Sequence, residues 1–197
     1  MSFRWHPDEP PPSIEGHSTA KLRVLRSYLR AYFDRLAVHL PRDEFKLDLV
    51  DGFAGGGTFR DGEETVSGTP LIMLEESESA RQRLNRNRTK PLHLDFRYYF
   101  FDIEEAHTDH LKAALNERGY SADDERIVIR NEAFQAVADA VIAEIRRRQP
   151  RAGRSLFLLD QCGFTHVELA LVGPDPPRVA QGGSHSDPGR GNPNLLK

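Results

Sequence analysis

Residues 47–62, LDLVDGFAGGGTFRDG, decide how this chain folds. The stretch opens on Leu47, Leu49 and Val50 and closes that run on Asp51. Four glycines, Gly52, Gly55, Gly56 and Gly57, then fall within six positions. An apolar run that ends on an acid and enters glycines reads as a strand entering a tight turn. Glycine tolerates positive φ and lets backbone N–H groups come close to a ligand.

Working outward from the turn, the pattern becomes regular. Residues 1–16 carry four prolines and no period, which predicts an extended arm. Ser18 or Thr19 is placed to cap a helix. Leu22, Leu25, Leu29, Tyr32, Phe33, Leu36 and Leu40 then recur at helical spacing. Arg23, Arg26 and Arg30 lie on the opposite face and read first as a solvated face, second as a nucleic-acid stripe. RQRLNRNRTK, with Arg81, Arg83, Arg86, Arg88 and Lys90, is a second basic cluster of the same kind. Residues 45–50 predict the first strand, and TFRDGEETVS reads as a polar loop. Thr69 and Pro70 open a helix, because proline loses nothing in a first turn. LDFRYYFFD is an aromatic strand, EEAHTDHLKAALNERG a helix stopped at Gly119, and RIVIR a short strand. Phe134, Val137, Val141 and Ile145 mark another helix, and SLFLLD a fourth strand. Strand and helix alternating in this way predict an α/β fold, a Rossmann-like parallel sheet with a helix ahead of it.

In such a sheet, ligands bind outside the carboxyl ends of the strands, where strand order reverses. Gly52 and Gly57 have the spacing of a P-loop, but Thr58 stands where that loop needs lysine. Gly55 and Gly57 begin a dinucleotide fingerprint, but Arg60 replaces its third small residue, and Asp51 would repel a pyrophosphate. S-adenosylmethionine brings a sulfonium and an ammonium instead. Asp51, Gly52, Phe53, Ala54, Gly55 and Gly57 suit it, the glycines giving access and the carboxylate holding the ammonium directly or through water.

Further candidates lie at the other strand ends. Asp102, with Glu104 beside it, ends the second strand and can accept both ribose hydroxyls of an adenosyl group. It follows the turn by about 45 residues, against about 20 in dinucleotide folds. After RIVIR, Asn131 and Glu132 stand where an adenine edge would lie. Asp160 closes the fourth strand and can orient or deprotonate a methyl acceptor. Gly163 permits a tight turn there, and Phe164 can stack on a flat substrate. Cys162 reads as a small buried thiol. His107 and His110, an i, i+3 pair without further ligands, read as a solvated helix face.

Composition sets the outer bounds. The chain has 197 residues, a net charge of −3 and one cysteine. That length holds one domain with a core, the charge gives no global basic field, and the cysteine count excludes disulfide frameworks and cysteine-based zinc sites. No run of 18 apolar residues occurs, and the N-terminus lacks a signal peptide's apolar centre, so a soluble cytoplasmic protein is expected.

GHSTAKLRVLRSYLRAYF, LVDGFAGGGTFRDG, SGTPLIML, FFDIEEAHTDHL and LFLLDQCGF resemble, in this order, the three-Cys-motif partner (TcmP) family. The resemblance spans residues 15–170 and implies a class I S-adenosylmethionine-dependent methyltransferase-like domain, strand order 3-2-1-4. It implies cofactor roles for Asp51, Gly55, Gly57 and Asp102, and places Asp160 at the fourth-strand acid. It also puts His17 and Lys21 on the leading helix and suggests a three-Cys-motif protein as partner. In the fourth-strand motif, Gln161 and Cys162 stand where amino-methyltransferases have prolines. The expected organisation is an arm over 1–16, a partial methyltransferase-like domain over 17–172 and an irregular Pro/Gly-rich tail over 173–197. THVELALV reads as the start of a crossover helix, which would leave SLFLL as an exposed edge. The later strands then appear missing, as in a truncated or frame-shifted copy of marginal stability.

Overall fold

The computed structural model describes residues 3–6, 9–38, 44–121, 123–150 and 154–159, and the backbone of 168–172. Helix α1 (Gly16–Val38) precedes strand β1 (Glu44–Asp51). The hairpin of β2 (Thr58–Asp61) and β3 (Glu64–Ser67) follows the glycine turn and leads into α2 (Thr69–Asn85). The chain continues through β4 (His93–Asp102), α3 (Glu105–Glu117), β5 (Ile127–Asn131), α4 (Phe134–Arg148), β6 (Arg154–Leu159) and β7 (Glu168–Val172). The main sheet runs β5-β4-β1-β6-β7, parallel through its first four strands, with β7 antiparallel to β6.

Both faces of the sheet are covered, as parallel sheets require. Leu47, Leu49, Phe96, Tyr98 and Phe100 point to one face and pack on Leu29 and Phe33 of α1, Leu71 of α2 and Leu111 and Leu115 of α3. Val50, Tyr99, Phe101 and Phe157 point to the other, against Phe134, Val141 and Ile145 of α4. Each fully buried Leu or Phe contributes about 1.5–3 kcal/mol. The two-sided burial explains why the aromatic strand β4 lacks alternation at its C-terminal half.

One residue breaks the apolar run of β1 and is compensated. Asp48 is fully buried. Arg148, the last residue of α4, donates to it at 2.7 Å and to Asp95 at 2.6 Å, and Gln149 Nε2 donates to its second oxygen. Desolvation nevertheless outweighs these partners and pushes the Asp48 carboxyl up to about 6.

Several expectations change. The polar loop is the β2–β3 hairpin, in which Gly62, at φ +64°, turns the chain between Asp61 and Glu64. Helix α1 starts at Gly16, ahead of Ser18 and Thr19, and Thr19 Oγ1 donates back to Glu15 O at 3.4 Å. Gly68, not Thr69, is the N-cap of α2, with Pro70 in its first turn. THVELALV does not begin a helix over its last five residues. Glu168–Val172 pairs along β6, from Leu159↔Glu168 to Ser155↔Val172. SLFLL is therefore an interior strand, and its edge is covered. Residues 173–197, with the tail expectation, lie outside the described residues. Among the described residues, no helix is long and apolar enough to cross a membrane.

The arm packs on the rest of the fold. Trp5 is 5% exposed. Residues 12–14 run beside β2, where Arg60 N donates to Pro12 O at 3.0 Å and Ile14 N to Arg60 O at 2.9 Å. The arm is thus docked onto the hairpin.

Candidate ligand site at the glycine turn

The turn sits where β1 ends, between the carboxyl ends of β4 and β6. Four of its backbone donors are spoken for. Gly52 N donates to Leu158 O (3.1 Å) and Ala54 N to Phe101 O (2.8 Å), so both neighbouring strands grip it. Phe53 N donates to Asp51 Oδ1 (3.0 Å), and Gly55 N to Asp102 Oδ2 (2.9 Å). Four successive amides are therefore satisfied inside the chain. A phosphate cradle needs such amides to point at the ligand. Here they hold strands and carboxylates.

Glycine is required at two positions for different reasons. Gly55 has φ +60°, which side-chain-bearing residues rarely adopt. Gly56 lies directly against the Trp5 ring, and a Cβ there would overlap it. The turn's glycines thus admit a side chain of the chain's own arm.

Asp51 is 3% exposed at the end of β1, and Asp102 lies two residues beyond Phe100, its neighbour across the β1–β4 register. Asp102 is held by three donors. Its Oδ2 takes the Gly55 N–H, and its Oδ1 takes the Glu104 N–H at 2.9 Å and His107 Nδ1–H at 3.0 Å. Its side chain is 13% exposed. Ile103, the next residue, is 69% exposed. Asn131, across the β4–β5 register from Asp102, donates from Nδ2 to Asp102 O (3.1 Å) and Ile103 O (2.8 Å). It fixes the chain leaving β4 instead of presenting its amide outward. Glu132 is exposed beside it, ahead of α4.

The structure thus gathers Asp51, Gly52, Phe53, Ala54, Gly55, Gly57, Asp102 and Glu132 around the same rim. Asp160 lies outside the described residues, as do Gln161, Cys162, Gly163 and Phe164. His107 and His110 do not form a solvated face. His107 is 8% exposed and grips Asp102, while His110 Nδ1–H donates to Gly56 O at 2.7 Å. The i, i+3 spacing was the available signal; both rings reach back from the first turns of α3 to the glycine turn. Trp5 was also missed. Its signal was a lone aromatic pair, Phe3 and Trp5, in an otherwise polar, proline-rich arm.

Within the basic clusters, Arg26, Arg81 and Arg83 are committed to carboxylates. Arg26 binds Glu75 and Glu76 at 2.6 and 3.0 Å, Arg83 binds Asp34 at 2.8 Å, and Arg81 binds Glu78 at 3.0 Å. The Arg26 and Arg83 pairs tie α1 to α2, while the Arg81 pair lies within α2.

No protein-family model matches the chain, and no curated protein is similar to it at a significant level.

Proposed function

We propose that this chain is a class I methyltransferase-like domain that binds S-adenosylmethionine at the rim of β1 and β4, in the manner of the three-Cys-motif partner proteins it resembles. The observation that carries the reading is the pairing of internally satisfied turn amides with carboxylates at two adjacent strand ends. Such a rim disfavours a pyrophosphate and suits a ligand with hydroxyls and positive charge. Asp102 would take the ribose hydroxyls, since Oδ2 keeps a lone pair beyond its bond from Gly55. Ile103 offers an apolar face to a flat adenine, and Glu132 lies at that ring's edge. Asp51 supplies the negative field for the ammonium.

When bound, the cofactor supplies an electrophilic methyl group. The protein's own contribution is to align the acceptor and to take or orient its proton, the role proposed for Asp160. Calorimetry with S-adenosylmethionine on wild type and Asp102→Ala tests the reading. A folded wild type that binds no cofactor removes it.

One observation favours a second reading. Trp5 packs directly on Gly55 and Gly56, so part of the turn serves the fold itself. A binding or scaffolding partner of a three-Cys-motif protein would keep the cofactor site without turnover. Methyl transfer that disappears in Asp160→Ala excludes that alternative.

A further inference from the structure

Trp5 closes a ring of contacts around the proposed ribose acid. Its Nε1–H donates to Thr58 O at 2.7 Å, which fixes the indole over the hairpin. The indole meets the His107 ring edge-on, with centroids 4.8 Å apart and planes at 78°. His107 Nδ1–H donates to Asp102 Oδ1, and Asp102 Oδ2 accepts from Gly55 N–H. Gly55 in turn lies against the far edge of the indole, so close that a Cβ there would sit 2.8 Å from it. The circuit is Trp5, His107, Asp102, Gly55 and back to Trp5. Its members come from the arm, the start of α3, the end of β4 and the glycine turn.

An imidazole can turn about its Cα–Cβ and Cβ–Cγ bonds. What stops His107 from turning away from Asp102 is whatever fills the space beside it. Trp5 fills that space, and it is itself immobilised by the bond to Thr58 and by edge contacts with Phe59 at 5.1 Å. Aromatic edge contacts of this sort contribute about 0.5–1.5 kcal/mol beyond area burial. That is enough to bias a rotamer choice but not to hold a fold by itself.

We infer that Trp5 is a positioning residue for the Asp102 carboxylate, acting through His107, so that docking of the N-terminal arm sets the ligand site. The inference rests on the reading of Asp102 as the ribose acid. The arm is then part of the site although it touches no ligand. A ligand that orders Asp102 must also favour the docked arm, because coupling between two sites is reciprocal.

The test uses the full chain and two readouts. The first needs no ligand: hydrogen exchange of the Gly55 amide, whose acceptor is Asp102. In Trp5→Ala this amide should exchange roughly tenfold faster or more, while amides in β1 and β4 keep their protection. The second is S-adenosylmethionine affinity by calorimetry, expected to fall roughly tenfold in Trp5→Ala. Trp5→Phe keeps a ring edge for His107 and should retain most of the affinity. Trp5→Leu fills the volume without a ring edge and should not. A passive plug would be rescued equally by both. His107→Phe should match Trp5→Ala, and the double variant should be no worse than either single one. Where Trp5→Ala does not fold, the Phe, Leu and His107 variants carry the comparison. Unchanged Gly55 exchange, or affinity unchanged or tighter without Trp5, overturns the positioning role alone. Faster Gly55 exchange with no cofactor binding by any folded variant, wild type included, overturns the ligand reading and the role derived from it.

Discussion

Two aspartates of the sheet carry opposite lessons. Asp48 lies inside β1 and is held by a guanidinium and an amide from the end of α4. Asp102 lies at the end of β4 and is held by two backbone N–H groups and an imidazole. The first carboxylate meets a full opposite charge within bonding distance, so its field is cancelled where it arises. The second is fixed in place by two backbone amides and a ring nitrogen, and its side chain stays 13% exposed at the rim. A buried acid with a cation belongs to the framework. A rim acid held by backbone amides and an imidazole is oriented, and its remaining lone pairs can still meet something else. The distinction separates fold from site more sharply than burial does.

The comparison breaks most readily at Arg148. Arg148→Ala strands the Asp48 charge in the core and should cost about 3–5 kcal/mol, read from urea unfolding. Whatever fraction stays folded should keep its cofactor affinity, because nothing at the rim changes. Loss of affinity in folded Arg148→Ala would mean that the two acids are not independent.

Asp102→Ala should do the reverse. Cofactor affinity should drop tenfold or more by calorimetry, a loss of about 1.4 kcal/mol. Stability should fall by about 1–3 kcal/mol, because the Gly55 and Glu104 amides lose their acceptor. A large stability loss with unchanged affinity would make Asp102 a framework acid like Asp48.

Acid sharpens the contrast. The Asp48 carboxyl is raised to about 6 in the folded chain, chiefly by desolvation, against 3.8 as its ordinary value. Between these values the native state holds a proton that the unfolded chain releases, so stability falls as pH rises through the window. Relative to Asp48→Asn, the wild type should gain on the order of 1 kcal/mol per unit as pH drops from 6 towards 4. Paired urea titrations at several pH values check this, and a flat difference refutes it.

The smallest effect belongs to the exposed arginines. Arg23→Ala with Arg30→Ala should change stability by no more than about 0.5 kcal/mol and leave cofactor affinity alone. A gel shift whose affinity falls steeply with salt, and is lost in this pair, would instead give that face a nucleic-acid role.

The parallel sheet was legible because its signals are local. Pro70 in a first turn and Gly119, at φ +80° just past α3, mark boundaries that no distant contact overrides. The hairpin was not legible. Thr58–Asp61 and Glu64–Ser67 mix charges with apolar residues, and their support comes from Pro12 and Ile14 of the arm. Strand β7 was misread because Val167, Leu171 and Val172 fit a helical face as well as a short strand. Pairing with β6 decided it. At the candidate site, the acids and glycines stood out because their residue types announce their chemistry. Trp5, His107 and His110 could not, since each matters through a partner about 50 or more positions away or across a helix start.

Trp5 is the chain's one tryptophan. The intrinsic emission excited at long ultraviolet wavelength therefore comes from a single ring, and that ring touches the glycine turn, His107 and the hairpin at once. The protein carries its own optical probe at the place where its function is proposed to reside. Wavelength, lifetime and quencher access of that one signal follow the arm, the turn and the His107 ring together, without a label and without a background to subtract.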